Sequence, residues 1–159
     1  MKRNAIPWLL LSLIVIALDQ ATKVVVLALL QPYQPHAAIP DLLNWTLAFN
    51  TGAAFSFLDV GPGPQRWLFS VLAVIVSAAL VRWLATIPRS DWRNALPLSL
   101  VIGGALGNLI DRLRFGQVTD FIDVYWHDAH FPAFNVADSA ITVGAALLIW
   151  FGFFAAKKA

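Results

Sequence analysis

The sequence predicts an all-α membrane protein, with four transmembrane helices and a small extracytoplasmic β-sheet between the first helix and the second. Three observations predict it. Hydrophobic residues make up 59% of the 159 residues and charged ones only 13%, too apolar a mixture for a soluble domain of this length. Four stretches reach or approach the ~20 apolar residues that a helix needs to cross a bilayer. Lys and Arg are distributed unevenly about those stretches, as in multi-span proteins whose positive loops stay in the cytoplasm.

The first stretch, Ala5 to Leu30, follows Met1-Lys2-Arg3-Asn4 and imitates a signal peptide. No small-x-small cleavage site closes it and the apolar pattern runs on, so it is expected to be a retained anchor. The outer segment 31–66 follows. Within it Leu42 to Phe49 and Ala53 to Phe57 have strand composition on either side of the turn-prone Asn50-Thr51-Gly52, which predicts a small sheet. Its aromatic residues Trp45, Phe49, Phe55 and Phe57 suit the lipid interface. Gly61-Pro62-Gly63-Pro64 breaks the chain before the second span, Trp67 to Ile87. A short connection leads to the third, Ala95 to Leu113. A second outer segment, 114–135, precedes the fourth, Val136 to Ala156. The whole, 1–159, reads as one integral membrane domain. Lys2, Arg3, Arg82, Arg89, Arg93, Lys157 and Lys158 fall on one side, against Arg66, Arg112 and Arg114 on the other. That bias places both termini in the cytoplasm and the two long segments, with any site they carry, on the outer face.

Composition excludes several chemistries. Without cysteine the chain has no disulfide, thiolate nucleophile, thiolate metal site or dithiol redox centre. The net charge of +2 is too small to suggest nucleic acid. All nine acidic residues are Asp. His127-Asp128-Ala129-His130 lacks the spacing and the Glu of the helical zinc motif, so no metal is expected. No serine stands in a nucleophile-elbow setting.

Polar residues inside apolar runs are costly in lipid and mark sites or relays. Asp19 and Lys23, four apart, share a face of the first span. They read as an ion pair pinning that helix, as contacts of a site, or as both. In the third span Gly104, Asn108 and Asp111 form one stripe beside Arg112, while Gly103 and Gly107 have the spacing of close helix packing. Asp120, in Val118 to Asp123, and Asp138, closing Phe134 to Asp138, fall at helix boundaries on the outer face. For Asp138 a cap has equal standing, because Asn135 stands three residues before it. For Asp120 the alternative is an ordinary solvated loop carboxylate, which is also how Asp123 and Asp128 read. Two carboxyl groups that share one proton can hydrolyse a peptide, one activating water while the other polarises the carbonyl.

Five segments, DQATK (19–23), NTGAAF (50–55), GGALGNLIDR (103–112), VTDFID (118–123) and FNVAD (134–138), together resemble bacterial lipoprotein signal peptidase, also called signal peptidase II. The resemblance spans essentially the whole chain. It implies a multi-pass aspartic endopeptidase of the plasma (inner) membrane, acting on diacylglyceryl-prolipoproteins among membrane lipid and cutting just before the lipidated cysteine. It implies a catalytic pair at Asp120 and Asp138, with supporting roles for Asp19, Lys23, Asn50, Gly52, Gly104, Asn108, Asp111, Arg112, Asn135 and Ala137. It also implies an outer sheet that cradles substrate, inhibition by globomycin-type cyclic peptides, and no metal or organic cofactor. The rival readings are a small proton-coupled transporter, for which Asp19, Lys23 and Asp111 would form the relay, and a membrane scaffold without activity.

Overall fold

The computed structural model describes residues 4–52 and 64–156. Four long helices dominate it: α1 (Leu9–Leu29), α2 (Pro64–Thr86), α3 (Trp92–Phe115) and α4 (Val136–Ala156). Helices α1 to α3 are long and apolar enough to cross a membrane. The 21 residues of α4, at ~1.5 Å each, also match a hydrocarbon core about 30 Å thick.

Helix α3 runs through the centre and packs on the other three. Its glycines make this possible. A Cβ on Gly103 would meet Val15 and the Ser12 carbonyl of α1, and one on Gly104 would collide with the Ala137 carbonyl of α4. Small residues thus let α3 approach two helices at once, which is how helices gain contact where lipid supplies no hydrophobic drive. The end of the bundle that holds Asn4 and Pro88 is apolar, built on Ala5, Leu84, Ala95, Leu98 and Ile102.

At the opposite end lies a four-stranded antiparallel sheet in the order β1 (His36–Ile39), β2 (Leu43–Asn50), β3 (Val118–Trp126), β4 (Ala129–His130). It lies between α1 and α2 only in part, since β3 and β4 come from the chain between α3 and α4. The run Val-Thr-Asp-Phe-Ile-Asp-Val-Tyr-Trp is rich in β-branched and aromatic residues, which suit a pleated, half-buried surface. Strand β2 pairs with β1 on one side and β3 on the other, with a bulge between Trp45 and Ala48 on the β3 side. The second expected strand, Ala53 to Phe57, lies outside the described residues, as does Gly61-Pro62-Gly63.

Candidate active site

Helix α3 ends where Gly116 adopts a left-handed φ of 78° and donates its N–H to the Arg112 carbonyl at 3.1 Å. Glycine takes that conformation without Cβ strain. Two residues later β3 begins and carries Asp120 back over the end of the bundle, opposite Ala48 of β2. Farther along, Phe134 exchanges backbone hydrogen bonds with Ile122, so the chain lies against β3 before it turns into α4. Asn135 is thereby set beside Asp120, and Asp138 enters the first turn of α4.

Asn135 joins the two carboxylates. Its Nδ2 donates to Asp120 Oδ1 at 2.7 Å, and its backbone N–H donates to Asp138 Oδ2 at 3.3 Å. The Asp138 N–H in turn donates to Asn135 Oδ1 at 2.9 Å, completing a reciprocal cap. The cap foreseen for Asp138 therefore exists, and the same residue that makes it holds Asp120. Asp138 Oδ1 accepts from Asn108 Nδ2 at 2.7 Å. Burial first, and next the charge of Asp138, push the Asp120 carboxyl up to about 7, against hydrogen bonds from Asn50 and Asn135 and the charge of Lys23.

Behind this pair the bundle holds an ionic seam. Lys23 Nζ lies 2.8 Å from Asp19 Oδ2 and 3.0 Å from Asp111 Oδ2, all three groups being buried. It also donates to Asn108 Oδ1 at 3.0 Å. Lys23 thus pins α1 to α3 as the ion-pair reading expects, and it touches the Asn108 amide that in turn donates to Asp138. Asp19 Oδ1 accepts the Ala137 N–H at 3.0 Å, and Asp111 Oδ2 accepts the Thr119 N–H at 3.0 Å. Each carboxylate of the seam therefore satisfies the start of an element bearing one of the paired aspartates. Gly107 and Ala137 permit the approach: a Cβ on Gly107 would stand 2.8 Å from Asp19 Oδ2 and 3.3 Å from the Ala137 Cβ.

Two residues here escape the sequence reading. Gln20 lies in a quoted segment but is given no role there; its Nε2 is within 3.2 Å of Asp19 Oδ2, the Gly107 carbonyl and Asp111 Oδ1. An amide within an apolar run is the available signal. Phe69 has none. Its ring lies under the Arg112 guanidinium, 5.2 Å from centroid to Cζ, and fills the space beside Gly52. Arg112 is itself within electrostatic reach of Asp138, Asp120 and Asp111.

Gly52 has φ 109°, its N–H donates to Asn50 Oδ1 at 2.8 Å, and a Cβ on it would stand 2.5 Å from Phe69 Cε2. Gly52→Ala is accordingly expected to cost at least ~2 kcal/mol through backbone strain and ring displacement. A fall of about 5 °C or more in the melting temperature of the purified protein checks this; an unchanged melt contradicts it.

The expectation for Asp123 needs correction. It is buried, accepts from Asn44 Nδ2 at 2.9 Å, and lies 2.9 Å from His130 Nδ1, whose ring stacks on Tyr125. It braces β2, β3 and β4. Among the described residues no three His, Cys, Asp or Glu side chains are arranged to hold a metal ion.

Residues 11–154 match the family described as Signal peptidase (SPase) II. Lipoprotein signal peptidase of Pseudomonas putida is 58% identical over 142 residues, covering 89% of this chain and 83% of the relative. That of Pseudomonas aeruginosa is 54% identical over 144 residues, covering 90% and 85%. A solved bacterial membrane enzyme, determined by the in meso method at 2.3 Å resolution, superposes with a TM-score of 0.81 at 32% identity, covering 96% of this chain and 92% of that one. A second, at 1.9 Å resolution, gives 0.79, also at 32% identity, covering 94% and 95%. With one family spanning nearly the whole sequence and relatives more than half identical along it, the chain belongs to the signal peptidase II family of membrane peptidases.

Proposed function

We propose that this chain is an aspartic endopeptidase of the bacterial inner membrane that removes the signal peptide from diacylglyceryl-modified prolipoproteins, cutting just before the lipidated cysteine. The observation that carries the proposal is the attachment of two carboxylates from distant elements, Asp120 and Asp138, to the single residue Asn135. Asp138, which accepts hydrogen bonds on both oxygens at the start of α4, is the ionised partner and the base. Asp120 carries the shared proton.

Asp138 takes a proton from water, whose oxygen attacks the carbonyl of the last signal-peptide residue, while Asp120 gives its proton to the carbonyl oxygen. As the tetrahedral intermediate collapses, the proton on Asp138 passes to the departing cysteine nitrogen and Asp120 recovers its own from a hydroxyl of the intermediate. Asn108, Asn135, Lys23, Asp19 and Asp111 hold this geometry. Asn50 and Gly52 close it from the β2 side, and Arg112 adds positive charge nearby. An extended substrate strand can be held by the sheet. Both termini lie in the cytoplasm and the sheet at the outer face, and cyclic peptides of the globomycin type compete for the same cleft. The polar seam lies at the sheet end of the bundle and an apolar cluster fills the other, which favours a peptidase over a carrier with a continuous relay.

The test is cleavage by purified protein of a synthetic prolipoprotein peptide with and without the diacylglyceryl group. Release of the signal peptide from the lipidated form is expected; no cleavage, or equal cleavage of both, rejects the proposal. Chelators are expected to leave the rate unchanged, and a loss restored by added metal would contradict the water-and-carboxylate mechanism. Because Asp120 must be protonated and its pKa lies at about 7, kcat/KM is expected to decline as pH rises through about 7. A decline centred near the ordinary carboxylate value of ~4 would show that Asp120 is not the proton donor.

A further inference from the structure

A groove of about 420 Å³ opens in the corner between α1 and the sheet. One wall is the outer half of α1, through Thr22, Val25, Val26 and Leu29; the other is Trp45 of β2 and Phe121 of β3, whose rings lie 6.4 Å apart. The one hydroxyl on the helix wall is already committed, since Thr22 Oγ1 donates within its own helix to the Leu18 and Asp19 carbonyls, each at 2.9 Å. The lining therefore presents almost entirely carbon, with the indole N–H of Trp45 as its one side-chain donor not tied up within the helix. A chain segment placed there would leave most of its N–H and C=O groups unpaired, which is costly in a dry apolar setting. A hydrocarbon chain loses nothing.

The groove and the candidate site are built on the same two elements, α1 and β3, with Phe121 and Asp120, consecutive on the strand, directed to opposite faces of the sheet. Phe121 directly follows Asp120 on β3, and Thr22 directly precedes Lys23 on α1. In the reaction proposed above, the diacylglyceryl group hangs from the cysteine next to the scissile bond, so its acyl chains must leave the carboxylates along an apolar wall within a few bonds. From Thr22 to Leu29 the helix wall runs ~10 Å outward, enough to line several methylenes. We infer that this groove is the subsite for one acyl chain of the diacylglyceryl substrate, with Val25 and Leu29 on α1 and Phe121 on β3 as its contacts.

The test rests on the proposed peptidase activity and uses one lipobox peptide in two forms, its cysteine bearing a dipalmitoylglyceryl or a dibutyrylglyceryl thioether, at fixed detergent. Val25 is 53% exposed, so Val25→Trp fills the groove without entering the bundle core. Each methylene kept from its apolar contact is worth about fourfold in binding, and displacing one to two costs about four- to fifteenfold. Val25→Trp is expected to raise KM for the dipalmitoyl substrate about tenfold with kcat within twofold, and to change KM for the dibutyryl substrate by less than twofold. Leu29→Gln, which adds an amide without filling the space, is expected to raise the same KM by a few fold. Equal rises for both substrates would assign the groove to peptide, and no rise for either would leave it to bulk membrane lipid; both results overturn the inference. Failure of the wild-type protein to cleave either substrate would instead reject the peptidase proposal itself.

Discussion

Asp120→Asn and Asp138→Asn are each expected to lower kcat/KM for a lipidated prolipoprotein by about 10²–10⁴-fold, the range supplied by a positioned acid or base. Neither change should unfold the protein. In Asp120→Asn the new amide keeps an oxygen for Asn135 Nδ2, and in Asp138→Asn it keeps one for the backbone N–H of Asn135, so the cap survives. What each variant loses is the ability to exchange a proton. Asp123→Asn is the matched control, because Asp123 is buried on the same strand but engages Asn44 and His130 rather than Asn135. Folded protein, verified by an unchanged melt, with activity lost in the first two and retained in the third, is the expected pattern. Full activity in either of the first two variants would eliminate the carboxylate pair.

Lys23→Met is expected to have the largest effect on stability. Asp19 and Asp111 both lie within 3.0 Å of the Lys23 ammonium, and all three are shut away from solvent. Removing the one cation leaves two buried carboxylates facing each other, and breaking a buried pair in this way costs about 3–5 kcal/mol. A drop of roughly 10 °C in melting temperature, or failure to accumulate folded protein, should follow. The double variant Asp19→Asn with Lys23→Met should recover part of the loss, since it removes one of the stranded charges and leaves an oxygen for the Ala137 N–H. A single variant as stable as wild type would mean that the seam is hydrated rather than sealed.

The parts legible in the sequence share a physical cause. Lipid offers the backbone no hydrogen-bond partners, so only helices and closed barrels, which pair every N–H and C=O internally, can span it, and long apolar runs with no barrel pattern become spanning helices. Polar side chains persist inside such runs only where something compensates them. Asp19, Lys23, Asn108 and Asp111 stand out for that reason, and each is hydrogen-bonded or ion-paired in the structure. Gly103 and Gly107 are legible as contact points, though nothing local tells that Gly104 meets α4 while Gly103 meets α1. The strands are harder. Val118 to Trp126 has strand composition, yet its aspartates draw the reading toward a solvated loop. Asp123 is buried because Asn44, 79 residues earlier, pairs with it across β2 and β3.

The sequence by itself determined the membrane class, the helical spans and the list of polar residues that had to find partners, because these follow from the cost of polar groups in lipid, a property of each segment alone. Only the tertiary structure decided which aspartates meet. Asp120 reaches Asn135 because β3 folds back from Gly116, and Asp19 reaches the start of α4 across 118 residues of chain because Gly104 and Gly107 let the helices close. A carboxylate's partners and its proton are set by what packs around it in space, and that packing is a cooperative result of the whole chain.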